Sequence, residues 1–114
     1  MVHIPIDLKS LRQISEGDIN FELELLSVYL EDAKTHLAQL QAAHAAQNYV
    51  QLGQEAHYFK GSSSNIGAIP MQTLAAELED LCLHPNPCQE RIDTLARAIL
   101  LELEAIGEFI AAYS

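Results

Sequence analysis

Apolar residues recur every three or four positions along most of the chain, which is the spacing of one buried helix face. A long helix is predicted to end at Ala46, and its apolar stripe consists of Leu26, Leu30, Ala33, Leu37 and Leu40. A short helix before it is predicted to begin after Asp7. Asn48, with Gln51 as reciprocal capping partner, predicts the start of a third helix. Its core face should contain Leu52, Ala56, Phe59, Ser63 and Ile66.

Two prolines mark the later helices. Pro70 predicts the first turn of a fourth helix, and Pro87, capped by Asn86, predicts the start of a fifth. None of these stretches would be stable alone, so their apolar faces must pack against one another. Short connections make consecutive helices antiparallel. We therefore predict an all-α fold, an up-and-down antiparallel four-helix bundle with a short N-terminal lid helix, as a single domain over residues 1–114.

The charge balance narrows the classes of partner. The 114 residues include 16 acidic and 6 basic side chains, giving a net charge of −10. Nucleic acids and anionic membranes bind clustered Lys and Arg, so we expect neither as a partner. No apolar run approaches the roughly 20 residues of a membrane span, and the N-terminus does not resemble a signal peptide. We expect a cytoplasmic monomer.

The exposed face of the third helix has an unusual composition. At about 100° per residue, Gly53, Lys60, Gly61 and Ser64 fall within about 60° of His57, which faces away from the core. A glycine inside a helix costs roughly 1 kcal/mol relative to alanine, and Gly61 could let another molecule's backbone approach. A neutral imidazole is a nucleophile, and the Lys60 ammonium could neutralise a phosphoryl group. The alternative is an ordinary solvated histidine.

A thirteen-residue segment around this histidine resembles a known signature. It reads Ala56-His57-Tyr58-Phe59-Lys60-Gly61-Ser62-Ser63-Ser64-Asn65-Ile66-Gly67-Ala68. Histidine-containing phosphotransfer (HPt) domains have a similar pattern of Ala-His, then Lys-Gly, small residues and Gly-Ala. The stretches Phe21 to Leu40 and Leu74 to Cys82 are also similar to that family's flanking helices.

The resemblance implies a phosphorelay intermediate. His57 would be the modified residue, taking a phosphoryl group from a receiver-domain aspartate and passing it to another receiver. Lys60 would stabilise the phosphoryl charge, and Gly61, with Ser64 and Gly53, would form the docking surface. Glu79 stands where the family often has an acidic or amide residue, and it could orient the imidazole. An ordinary solvated glutamate is the alternative.

The implied partners are response-regulator receiver domains and a hybrid or upstream histidine kinase. The chain has no glycine-rich phosphate loop and no convincing Mg²⁺ site, so we expect no cofactor of its own and no autonomous kinase activity. Mg²⁺ would be bound by the receiver. Two other functions stay open, namely a phosphoacceptor domain excised from a chemotaxis-type histidine kinase and a non-catalytic helical adaptor.

Other candidate side chains are weaker. Cys82, His84 and Cys88 surround a proline-rich turn but make a poor case for a metal site, so none is predicted. The remaining histidines, among them His3, His36 and His44, are expected to be solvated.

Overall fold

The computed structural model describes residues 3–113, and within them it is built from five helices and no strand. The helices are α1 (Leu8–Ser15), α2 (Ile19–Ala45), α3 (Tyr49–Ser64), α4 (Ile69–Cys82) and α5 (Gln89–Tyr113). Helices α2 to α5 form the bundle, in which α3 packs between α2 and α4, and α5 packs against α4 and α2. The predicted all-α four-helix bundle is confirmed. None of the helices in residues 3–113 is long and apolar enough to cross a membrane.

Side chains cap the starts of α2 and α3, where Asp18 and Asn48 accept hydrogen bonds from backbone N–H groups of the first turn. Asn48 accepts a hydrogen bond from the backbone N–H of Gln51 at 3.2 Å, as predicted. The reciprocal half of the capping box was wrong, because the Gln51 amide instead donates to Glu55 at 3.0 Å. The prediction for α5 was also wrong. That helix begins at Gln89, and Pro87 lies in the preceding turn, where the fixed φ of proline is equally acceptable.

The predicted core face of α3 is buried in the bundle. All five predicted residues are less than 3 % exposed: Leu52, Ala56, Phe59, Ser63 and Ile66. Ile66 lies in the turn that follows, because α3 ends at Ser64. The Ser63 hydroxyl lies 3.1 Å from the phenol oxygen of Tyr29 in α2, so each buried oxygen has a partner. Burial raises the pKa of Tyr29 to about 12. Ser63 is therefore a packing residue, and the opposite face of α3 is left for solvent.

The short helix α1 covers the end of the bundle where α3 connects to α4. The backbone N–H of Asp7 donates to the carbonyl oxygen of Gly67 at 2.8 Å. A Cβ on Gly67 would lie 2.9 Å from the Asp7 carbonyl oxygen, and its φ of +73° also favours glycine. Within α1, the side chain of Leu11 is fully buried, whereas the side chain of Ile14 is 40 % exposed. The lid closes this end without covering the middle of α3.

Candidate functional site

His57 projects from the middle of α3 into solvent. Its side chain is 68 % exposed, although its neighbours Ala56 and Phe59 are completely buried. The helical periodicity of α3 produces this alternation, because a residue one step from the core face is turned about 100° away from it. The orientation predicted from the sequence is confirmed.

Glu79 joins His57 and Lys60 across the α3–α4 interface. Its Oε2 lies 2.7 Å from Nδ1 of His57, and its Oε1 lies 2.5 Å from Nζ of Lys60. Lys60 reaches the carboxylate because it follows His57 by nearly one helical turn. Glu79 reaches both because α4 packs along α3. The structure therefore brings together the three side chains to which the sequence analysis gave chemical roles.

The protonation of this group follows from its hydrogen bonds. The Lys60 ammonium, helped by His57, holds the pKa of the Glu79 carboxyl below its ordinary value of 4.5, although partial burial opposes that shift. At neutral pH the carboxylate can only accept hydrogen bonds, so the proton between it and the imidazole belongs to Nδ1 of His57. The free lone pair of the neutral ring then lies on Nε2. The exposed ring is held as one tautomer, with Nε2 available as a nucleophile.

Gly61 and Gly53 differ in the space that surrounds them. No atom of another part of the protein lies within 4 Å of a Cβ placed on Gly61, so packing within the chain does not require glycine there. A Cβ on Gly53 would lie 3.2 Å from Cβ of Cys82, so this glycine permits close packing of α3 against α4. Ser64, the last residue of α3, is exposed and donates to the carbonyl oxygen of Gly61 at 2.7 Å. Of these two glycines, Gly61 is the one for which packing within the chain gives no reason.

A groove runs from His57 toward the start of α3 and the end of α4. We call it the α3–α4 groove; its volume is about 370 Å³, and it is lined by Tyr49, Val50, Gly53, Gln54, His57, Glu79, Cys82 and Leu83. Val50 and Leu83 are 74 % and 79 % exposed. Sequence reasoning missed both residues, because neither belongs to the signature around His57. The available signal was a large apolar residue at an exposed position near a helix end.

Three histidines expected to be solvated are paired with carboxylates. His3, His36 and His44 lie 2.6–2.7 Å from Glu102, Glu55 and Asp93, respectively. His3 is indeed 55 % exposed, whereas His36 and His44 are only 32 % and 29 % exposed. The sequence analysis missed the pairings because each partner is remote in sequence and is brought close by packing. In the part of the chain that the structure describes, no three His, Cys, Asp or Glu side chains form a group that could hold a metal ion.

The sequence is similar to known phosphotransfer proteins. The family model described as "Hpt domain" matches residues 24–109. Histidine-containing phosphotransfer protein 2 of Arabidopsis thaliana is 27 % identical over 106 residues, covering 86 % of this chain and 67 % of that protein. The phosphorelay intermediate protein rdeA of Dictyostelium discoideum is 26 % identical over 107 residues, covering 94 % of this chain and 41 % of that protein. The chain thus spans about two thirds of the first relative and less than half of the second.

Solved structures are similar over nearly the whole chain. Histidine-containing phosphotransfer protein B from Pseudomonas aeruginosa superimposes with a TM-score of 0.85 at 25 % identity, covering 97 % of this chain and 95 % of that one. The HPT domain of a sensor hybrid histidine kinase from Shewanella gives a TM-score of 0.82 at 18 % identity, covering 95 % and 92 %. This second likeness concerns the fold.

Proposed function

The chain belongs to the Hpt domain family and serves in phosphorelay phosphotransfer, and from that premise we propose that His57 is the residue that is phosphorylated. His57 accepts the phosphoryl group from the aspartate of one receiver domain and passes it to the aspartate of another. The observation that supports this assignment is the exposed imidazole whose Nδ1 is occupied by Glu79. An ordinary solvated histidine would have no such fixed tautomer.

The transfer needs little more than a positioned nucleophile. The Nε2 lone pair of His57 attacks the phosphorus of the receiver's phosphoaspartate, the bond from phosphorus to the carboxylate oxygen breaks, and the aspartate leaves as a carboxylate. The ring now has a phosphoryl group on Nε2 and a proton on Nδ1, so it is cationic. Glu79 lies 2.7 Å from Nδ1 and stabilises that positive charge. The same steps in reverse deliver the group to the next receiver.

Lys60 supplies the positive charge for the phosphoryl oxygens. Its ammonium has three N–H donors, and the contact with Glu79 at 2.5 Å uses one of them. The remaining donors can bind the transferring group while the lysine stays anchored. This charge matters because the protein as a whole is strongly acidic, with a net charge of −10.

The docking surface surrounds this group. The open space above Gly61 admits a partner's backbone, Ser64 lies at its edge, and Gly53 lies on the other side of His57 in the α3–α4 groove. The partners are response-regulator receiver domains, together with a hybrid or upstream histidine kinase. The receiver brings the aspartate and Mg²⁺, and this protein adds no cofactor. We propose that it works as a monomer in the cytoplasm.

Phosphotransfer from a receiver tests the proposal directly. We expect that mixing the protein with a ³²P-phosphorylated receiver domain and Mg²⁺ labels it with acid-labile, base-stable phosphate, which is the signature of phosphohistidine. ATP and Mg²⁺ without a kinase should give no label. A panel of receivers from one host that all fail to label the protein would contradict the proposed function.

A further inference from the structure

A long groove runs between α2 and α5, on the side of the bundle opposite α3 and α4. Its central hollow has a volume of about 560 Å³. Hollows of about 450 Å³ and 360 Å³ adjoin the two ends, because they share Leu30 and Lys34 or Leu100 with the central one. We call the whole the α2–α5 groove. From Leu23 to His44 of α2 it is about 30 Å long, at a rise of about 1.5 Å per residue.

Both walls of the α2–α5 groove have the residue spacing of a coiled-coil seam. On α2 the lining positions alternate in steps of four and three residues: Leu23, Ser27, Leu30, Lys34, Leu37 and Gln41. On α5 the same alternation joins Arg97, Leu100, Glu104, Gly107 and Ala111. Helices with this repeat pack by inserting side chains of one helix into the spaces of another. All of these residues are exposed or only partly buried, so the chain itself does not cover the seam.

The two walls face each other in a definite register. The atom nearest to a Cβ placed on Gly107 is Cδ1 of Leu30, at 3.8 Å, which is an ordinary contact. Packing within the chain therefore does not require a glycine there, although glycine weakens a helix. Because α2 and α5 run antiparallel, Lys34, one turn beyond Leu30, lies level with Glu104, one turn before Gly107. The place above Gly107 is open to a side chain of a second molecule.

The charged side chains of the α2–α5 groove have no ionic partners. In the described part of the chain, Lys34, Arg97, Glu104 and Glu108 form no ion pair, whereas Lys60 does. The groove of this acidic protein thus presents unpaired cations and unpaired carboxylates side by side. In a twofold pair each contact occurs twice with its members exchanged, so a surface that carries both signs can complement its own copy.

We propose that the α2–α5 groove binds a second copy of this chain. In a twofold arrangement whose axis runs along the groove, α2 of each copy lies over α5 of the other, and the four helices form a second bundle. Leu30 of one copy fills the place above Gly107 of the other. Lys34 of each copy pairs with Glu104 of the other, because these two residues lie at the same level of the groove.

The pair is expected to be weak and to leave both reaction sites free. A strip about 30 Å long and two helix diameters wide covers roughly 600 Å² per chain, which is near the lower limit for a specific interface. The dilute protein is therefore a monomer, which stays the unit of phosphotransfer. Because α3 and α4 lie on the opposite side of the bundle, each copy in the pair keeps its His57 exposed.

Sedimentation velocity on charge-reversal variants tests the pairing. We expect the wild-type protein to pass from monomer to dimer between low micromolar concentration and about 1 mM. Glu104→Lys and Lys34→Glu each place like charges together twice in the pair, so each should raise the dimer Kd about tenfold or more. An equimolar mixture of the two variants should recover the wild-type Kd within about threefold, because every Lys34–Glu104 contact in the mixed pair again joins opposite charges.

Asp32→Lys is the matched control. It changes the net charge as Glu104→Lys does, but on the α2–α3 side, so it should dimerise like the wild-type protein. Circular dichroism should show that all variants are folded. A wild-type protein that stays monomeric at about 1 mM would overturn the proposal and leave the groove for a helix of another protein. A mixture of Glu104→Lys and Lys34→Glu that dimerises no better than either variant alone would also overturn it.

Discussion

His57 and His36 make the same local contact in two different regions of the molecule. In both, Nδ1 of the ring lies 2.7 Å from Oε2 of a glutamate on a neighbouring helix. The glutamate is Glu79 of α4 for His57 and Glu55 of α3 for His36. Each pair joins adjacent helices of the bundle, and each fixes the ring by the same nitrogen.

The surroundings of the two pairs differ. The ring of His36 stacks on Tyr58 with centroids 3.5 Å apart, and its side chain is 32 % exposed, against 68 % for His57. Glu55 is buried and takes its second hydrogen bond from the neutral Gln51 amide. Glu79 is partly exposed and takes its second contact from the Lys60 ammonium.

The comparison shows that a histidine–glutamate contact does not by itself define a reactive group. His36 supports packing between α2 and α3, because its ring stacks on Tyr58 and its Nδ1 contacts the buried Glu55. A ring that is exposed, fixed as one tautomer and next to a lysine can instead meet a second molecule. The two pairs differ in the exposure of the ring and in the side chain that also contacts the glutamate, which is Lys60 for Glu79 and Gln51 for Glu55.

The largest expected difference between the pairs is in phosphorylation. We expect His57→Gln to abolish labelling by a phosphorylated receiver, because no other described imidazole combines this exposure with a lysine. His36→Gln should keep the wild-type extent of labelling. Gel autoradiography with peptide mapping measures both. Label that persists in His57→Gln, or that disappears in His36→Gln, would remove the distinction between the two pairs.

The lysine is expected to account for the next largest effect. Lys60→Ala should slow single-turnover transfer by roughly 10²-fold, because it removes the cationic donor from the transferring phosphoryl group. Lys34→Ala, which removes a cation from the α2–α5 side, should leave the rate unchanged. Rapid-quench measurements compare the two variants. Equal rates for Lys60→Ala and the wild-type protein would exclude the charge role.

Truncating each glutamate should separate stability from catalysis. Glu55→Ala should lower the free energy of unfolding by about 2 kcal/mol, since it leaves the half-buried His36 and Gln51 without their acceptor, and should leave transfer intact. Glu79→Ala should cost less than about 1 kcal/mol of stability but slow transfer roughly tenfold, because the tautomer is no longer fixed.

Urea unfolding and single-turnover kinetics on both variants provide the measurement. Glu79→Gln is the matched control, because its amide oxygen can still accept the hydrogen bond from Nδ1, so it should transfer faster than Glu79→Ala. The opposite assignment, with Glu55→Ala impaired in transfer and Glu79→Ala destabilised, would reverse the roles of the two pairs.

The smallest expected effect is the pH dependence of the Glu79 contacts. Because Lys60 and His57 lower the pKa of Glu79 below 4.5, the unfolded chain takes up this proton first as pH falls. The stabilisation is therefore fully present above pH 4.5 and is lost as pH falls through the lowered value. The wild-type protein should exceed Glu79→Gln in stability by less than about 1 kcal/mol at pH 7. That difference should shrink at about pH 3, and a difference that grows in acid would contradict the lowered pKa.

Much of the site was predictable because it depends on local helix geometry. The outward orientation of His57, the proximity of Lys60 and the core face from Leu52 to Ser63 all follow from the rotation per residue in one helix. Glu79 is 22 residues beyond His57, and only the family resemblance suggested it. The start of α5 was mispredicted because proline suits both a turn and a first helical turn.

The groove lining and the histidine–carboxylate pairs could not be predicted, because the residues that form them are distant in the chain. Val50 and Leu83 line one groove although they belong to different helical segments, and neither residue is unusual by itself. The partners of His3, His36 and His44 were missed for the same reason. A helical period says which side of its own helix a residue lies on, but it does not say which residue of another helix lies opposite.

The amino-acid sequence by itself determined the helices, the face that each one buries and the outward direction of His57, because these depend on interactions within about one helical turn. Tertiary structure alone decided which carboxylate meets each imidazole, that Gly53 is needed for packing while Gly61 is not, and that an apolar groove lies beside the reactive ring. Those features depend on how α2, α3, α4 and α5 are placed against one another. That placement results from burying all their apolar faces together, and no single segment specifies it.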